Sequence, residues 1–181
     1  MNPRIRMLLC AVFLASIFPR CAVAQFGVYG EFNGAIDVSG FNFPTNMYGA
    51  TVGSYFDLFR VGPFVPGLDA RGTFLQGSAC CSNNFHINSF LIGPRLTFRL
   101  SKGRVKPYGE FLVGLASAGK SNSDSLSQLE LAYQPTGGVD VALLRLLDWR
   151  LIEVSYEVGT GAPFISNTQT GILSTGLAFH F

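Results

Sequence analysis

From Leu173 to the final residue, every second position alternates with its neighbours. Leu173, Leu177, Phe179 and Phe181 fall on one face with Thr175, and Ser174, Gly176, Ala178 and His180 on the other. A period of two is the signature of an extended strand with unlike faces. The same period recurs along the chain. Phe26, Val28, Phe32, Ile36 and Val38 oppose Tyr29, Glu31, Asn33 and Asp37; Phe90, Ile92, Leu96, Phe98 and Leu100 oppose Ser89, Arg95, Thr97 and Arg99. Further on, Ile152, Val154, Tyr156 and Val158 oppose Glu153, Ser155 and Glu157. Charged residues stand inside these strands at alternate positions, so one face is apolar and the other carries charge. The pattern predicts an all-β fold, and leaves open which face is inside.

The N-terminus carries an export leader. Arg4 and Arg6 form a basic start, Met7 to Phe18 an apolar core, and Ala22-Val23-Ala24 a small-residue cleavage site before Gln25. A core of that length is too short for a membrane helix of about 20 residues. A lipoprotein reading through Cys21 is disfavoured, because Pro19 and Arg20 stand where small or aliphatic residues belong. Residues 1–24 are therefore expected to be a cleavable signal peptide, and 25–181 one domain. Removing Arg4, Arg6 and Arg20 leaves 10 basic against 11 acidic side chains. So near-neutral a mature chain gives no basis for nucleic-acid binding.

No apolar run after residue 24 is long enough for a membrane helix. Strands of about ten residues suit a tilted bilayer crossing better than the five or six usual in soluble sheets. Eight are expected, at 26–38, 47–59, 65–76, 87–100, 107–118, 129–144, 150–159 and 170–181. The connections after the second, fourth and sixth are tight and basic: Arg60-Val61-Gly62-Pro63, Ser101-Lys102-Gly103-Arg104 and Arg145-Leu146-Leu147-Asp148. The others read as longer and polar, including Gly77 to His86, Gly119 to Gln128 and Thr160 to Gln169. Short turns at one end and long loops at the other are expected of a transmembrane β-barrel, as is an aromatic girdle, here Phe26, Tyr48, Phe59, Tyr108, Trp149 and Phe181. Glycines within strands (Gly49, Gly53, Gly67, Gly72, Gly93, Gly109, Gly114, Gly137, Gly138, Gly176) would relieve crowding in a narrow, curved wall.

Taken together, the leader, Tyr48-Gly49-Ala50-Thr51-Val52-Gly53-Ser54-Tyr55, Gly67-Leu68-Asp69-Ala70-Arg71-Gly72, Pro107-Tyr108-Gly109-Glu110, Gly137-Gly138-Val139-Asp140, Trp149-Arg150 and the closing Phe181 resemble the small OmpA-like outer-membrane β-barrel family of Gram-negative bacteria. The resemblance spans the mature chain. It implies an eight-stranded antiparallel up-and-down transmembrane barrel in the cell outer membrane; the periplasmic cell-wall-binding domain of the family's two-domain members is not expected here. It also implies that Leu177, Phe179 and Phe181 form the terminal signal read by the barrel-assembly machinery, with membrane lipid and lipopolysaccharide as surroundings. A monomer is expected.

The face assignment sends Glu31, Asp69, Arg71, Arg95, Arg99, Glu110, Asp140, Glu153 and Glu157 into the lumen. A barrel of eight strands is just wide enough for side chains to fill it, and buried charges must pair. The reading is a lumen filled by ion pairs; a narrow ion or small-solute channel is the alternative. A lipid-modifying enzyme is less favoured. A Ser–His dyad needs both side chains on one face, whereas His86 and Ser89 are an odd number of positions apart and His180 has Ala178 at the nearest same-face site. Cys80 and Cys81 could form a vicinal disulfide, stay as thiols or pair between chains, and an oxidising envelope favours a loop disulfide. No metal site or cofactor is expected. Phe41, Phe43, Phe85 and Phe164 in weakly charged loops suit contact with a partner or membrane rim better than ion capture.

Overall fold

The computed structural model describes residues 25–38, 46–79, 83–100, 104–120, 128–160 and 168–181. The leader, its cleavage site, Cys80, Cys81, Phe41, Phe43 and Phe164 lie outside those residues, as does the side chain of Phe85. Eight strands follow one another: β1 Gln25–Asp37, β2 Met47–Asp57, β3 Phe64–Ala79, β4 Asn83–Phe98, β5 Val105–Lys120, β6 Gln128–Ala142, β7 Leu147–Thr160 and β8 Thr168–His180. Each pairs antiparallel with the next, and β1 pairs with β8 from Gly27↔His180 to Asp37↔Thr170, so the sheet closes on itself. Closure leaves no edge strand with unpaired backbone groups.

The alternation decides the two surfaces. Phe32, Val52, Phe74, Phe90, Leu131 and Val154 point outward and are each more than half exposed, at 67, 56, 52, 65, 59 and 57%. Their strand neighbours Glu31, Asn33, Thr51, Thr73, Ser89 and Ser155 are buried in the lumen. The apolar face is thus outside and the charged face inside, the reverse of a water-soluble barrel.

Local departures from the sequence reading have identifiable causes. The connection expected over Gly77–His86 is not long. The ladder continues through Gly77↔Phe85, Ser78↔Asn84 and Ala79↔Asn83, leaving only 80–82 between the strands. Gly, Ser and Asn read as loop residues by propensity, and cross-strand pairing overrides that preference. The third turn lies at 143–146 and β7 starts at Leu147, so Asp148 belongs to a strand and is buried. Tyr108 is no girdle residue: it is 5% exposed and inside the lumen. Val158, expected outside, is also buried.

Three inward tyrosines account for three of the glycines. Tyr29 is registered opposite Gly53, Tyr55 opposite Gly27, and Tyr108 opposite Gly138. A Cβ added to any of these glycines would run into the facing ring. Each ring lies where a side chain would otherwise stand, which holds the aromatics flat against the wall and toward the charged centre.

Candidate functional site: the charged lumen

The lumen is layered along its axis. Nearest the short turns is a mouth of charged and polar groups, and next comes a band of arginines, carboxylates and tyrosines. Beyond these, Asn33, Thr51, Thr73, Thr136 and Ser155 are joined by hydroxyl and amide contacts. Ala35, Met47, Leu75, Ile87 and Ile172 form a buried apolar cluster at the loop end. Its members come from β1, β2, β3, β4 and β8, so it reaches across the bore.

The central band is held by three guanidinium groups. Arg71 donates from Nε to Asp69 Oδ1 at 3.2 Å, from Nη1 to Glu153 Oε1 at 2.5 Å, and from Nη2 to Glu110. Arg95 donates to Thr97 Oγ1 at 3.1 Å, Glu110 Oε1 at 3.0 Å and Asp140 Oδ2 at 2.9 Å. Arg150 reaches Asp140 Oδ1 at 3.0 Å, Glu31 Oε1 at 2.5 Å and Glu153 Oε2 at 3.3 Å. Glu110, Asp140 and Glu153 each serve two arginines, so the pairs form one connected network. Branched, planar guanidinium groups are suited to this sharing in a way that a lysine ammonium is not.

The tyrosines complete the band. Tyr29 donates to Asp69 Oδ1 at 2.7 Å and Tyr108 to Glu153 Oε2 at 2.5 Å. The Arg150 guanidinium lies 4.0 Å from the Tyr29 ring centre and 4.7 Å from that of Tyr108. Arg95 lies 4.4 Å from the Tyr55 ring and 4.1 Å from Tyr108. Cation–π contact adds attraction in this buried setting.

Arg150 was not among the inward charges read from the sequence. Counting by twos back from Glu157, Ser155 and Glu153 sends Leu151 inward and Arg150 outward. The pairing of β7 slips here: Val139 faces Ile152 but Asp140 faces Arg150, and the β7–β8 register shifts between Arg150 and Glu153. This bulge puts both Leu151 and Ile152 outside, at 43 and 42% exposure, and returns Arg150 to the lumen. The signal was present as two successive apolar residues between two charged ones.

The remaining sites divide. Arg99 is at the mouth, half-buried, where Nη2 donates to Gln25 Oε1 at 2.5 Å and contacts Asp57 Oδ2 at 3.4 Å. Lys106 pairs with Asp148 at 2.5 Å, and His180 Nδ1 lies 3.6 Å from the same carboxylate. Asp57, Lys106 and Asp148 sit at strand ends, where the alternation alone assigns them no face. With Tyr55, Thr97 and Asp140 these groups line a narrow polar vestibule. Glu157 stands apart from the network: Ser89 Oγ donates to it at 2.9 Å, and no cation is within ion-pair distance among the described residues. His86 is on the opposite face of β4 from Ser89, so the two do not form a dyad. Leu177, Phe179 and Phe181 face outward along β8. Among the described residues no three His, Cys, Asp or Glu side chains converge as a metal-binding set.

No protein-family model matches the chain, and no curated protein matches it in sequence. Solved structures do match in fold. Neisserial surface protein A superposes with a TM-score of 0.64 at 21% identity, over 86% of this chain and 97% of that one. Ail, the attachment invasion locus protein of Yersinia pestis, gives 0.57 at 14% identity over 87% and 97%. The outer-membrane protein OprG of Pseudomonas aeruginosa gives 0.51 at 12% over 88% and 97%. Eight antiparallel strands, closed into a barrel that is apolar on the outside and charged within, make this the fold of small eight-stranded outer-membrane β-barrels.

Proposed function

We propose that the chain is a non-enzymatic integral barrel of the outer membrane, with a structural or surface-interaction role and a lumen closed by its own side chains. The observation that carries this reading is the central band. Arg71, Arg95 and Arg150 are at most 3% exposed and span the bore among five carboxylates and three tyrosines. Beyond it the apolar cluster covers part of the loop end, beside the buried Glu157. The outward belt supports placement in lipid, because so continuous an apolar surface is costly in water. The leader supports export, after which the barrel-assembly machinery would read Leu177, Phe179 and Phe181. Lipopolysaccharide and membrane lipid are its proposed surroundings, and a monomer its proposed state. A non-enzymatic role is supported by Ser89, whose hydroxyl is engaged by Glu157 and faces away from His86.

Conductance in planar bilayers tests the reading. The parent protein is expected to pass negligible current. Arg95→Ala, which deprives Glu110 and Asp140 of a partner and opens space, is expected to give a small, measurable increase. Steady single-channel currents from the parent, abolished by blocking the lumen, would overturn the closed barrel in favour of a narrow channel.

A further inference from the structure

The short-turn rim carries basic side chains that the lumen does not use. Arg60 in the β2–β3 turn, Arg104 just before β5 and Arg145 in the β6–β7 turn are all exposed. No carboxylate lies within ion-pair distance of any of them among the described residues. Among the described residues their one side-chain hydrogen bond is internal to a turn: Arg60 Nε donates to the Gly62 carbonyl at 2.9 Å. The carboxylates at this end, Asp57 and Asp148, are buried and paired with Arg99 and Lys106. The acid at this end is therefore inside the mouth with Arg99 and Lys106 as its partners, while Arg60, Arg104 and Arg145 stand outside it. Lys102 adds a further positive charge by sequence, whereas Asp37, Lys120 and Glu130 fall toward the other end.

The same turns are apolar where a solvated turn is polar. Leu143, Leu144 and Leu146 flank Arg145 at 52, 68 and 55% exposure, and Phe59 and Val61 flank Arg60 at 43 and 59%. The β6–β7 turn is nonetheless tightly built, with Leu143 and Leu144 both donating to the Leu147 carbonyl at 3.0 Å. Large apolar side chains around unpaired guanidinium groups, continuous with the outer belt, match the boundary between acyl chains and headgroups.

We propose that this rim is a binding surface for anionic phospholipid headgroups, held by Arg60, Arg104 and Arg145 in the leaflet on the short-turn side. The inference rests on the membrane-barrel reading above and names the lipid chemistry of one end. The guanidinium groups would bind the lipid phosphates while the adjoining leucines, Phe59 and Val61 enter the acyl region.

Trp149, the single tryptophan of the chain, reports on this end because it faces outward in the strand that follows Arg145. The protein would be refolded into phosphatidylcholine vesicles in which a fixed minority of lipid carries brominated chains. That minority is phosphatidylglycerol in one arm and phosphatidylcholine in the other. Stronger quenching by brominated phosphatidylglycerol is expected, equivalent to about fivefold local enrichment for a basic residue beside an anionic headgroup. The preference should fall with added salt. It should vanish in Arg60→Gln/Arg104→Gln/Arg145→Gln while the heat-modifiable folded fraction is unchanged; if the triple variant folds poorly, Arg145→Gln alone should reduce it. Equal quenching of the parent in both arms overturns the proposal. A preference that persists without the arginines overturns it too. Quenching by neither brominated lipid would instead reject the membrane-barrel reading itself.

Discussion

The middle of the lumen and the belt around it are built from the same strands, one residue apart, yet they are held by different physics. In the belt, Phe32, Phe90 and Val154 need only be apolar, and no specific partner fixes any of them. In the lumen, Arg71, Arg95 and Arg150 are fixed by named carboxylate oxygens and tyrosine rings, and several carboxylates answer to two arginines. The belt is therefore a property of composition and the lumen a property of connectivity. A conservative change should pass unnoticed outside, while a single deletion inside should propagate.

The largest expected effect is a break in the network at a fully buried arginine that joins three of its carboxylates. Arg150→Ala leaves Glu31 without its guanidinium and removes one partner from Asp140 and from Glu153. It should destabilise by about 3–5 kcal/mol, the cost of stranding buried charge, measured by urea titration of the folded fraction in vesicles. A loss no greater than that of an outward leucine would mean that the network contributes little.

Next comes a charge on the belt. Leu96→Arg should cost about 2–4 kcal/mol at mid-depth, whereas Leu96→Ile at the same site should stay within about 0.5 kcal/mol. The same titration separates them. A measurable cost for the isoleucine would show that the belt has specific packing after all.

The smallest of the three lies on the wall between the two regions. Gly138→Ala would press a methyl group against the Tyr108 ring and, through it, against Glu153 and the two arginines stacked there. About 1–3 kcal/mol is expected for overpacking a fitted site. Recovery in Gly138→Ala/Tyr108→Phe would attribute the cost to a clash with the hydroxyl oxygen, and no recovery to the ring itself.

Most of the barrel is legible along the chain. Each of the eight expected strands overlaps an observed one, because an apolar outer face and a polar inner face force strict alternation wherever the wall is regular. Legibility fails at two kinds of place. At Leu151 and Ile152 a bulge breaks the period, and counting by twos loses Arg150, the residue that ties Glu31 to Asp140 and Glu153. At strand ends, Asp57, Lys106 and Asp148 resemble turn residues, and Tyr108 resembles a girdle aromatic. Only the positions of neighbouring strands turn them inward. Gly138 shows the same limit: its place in a strand is readable, but the ring it accommodates is not.

What the sequence determined by itself is the period, the number of strands and which residues share a face, since these follow from the local geometry of an extended chain. It also determined a leader-like N-terminus and the unbalanced charge of the turns. The tertiary structure decided that the apolar face is outside, that the sheet closes, and which carboxylate each arginine serves. Those choices depend on register between strands distant in the chain. Arg150 and Glu31 are 119 positions apart, and only closure of β8 onto β1 brings β7 and β1 close enough around the bore for the two to meet.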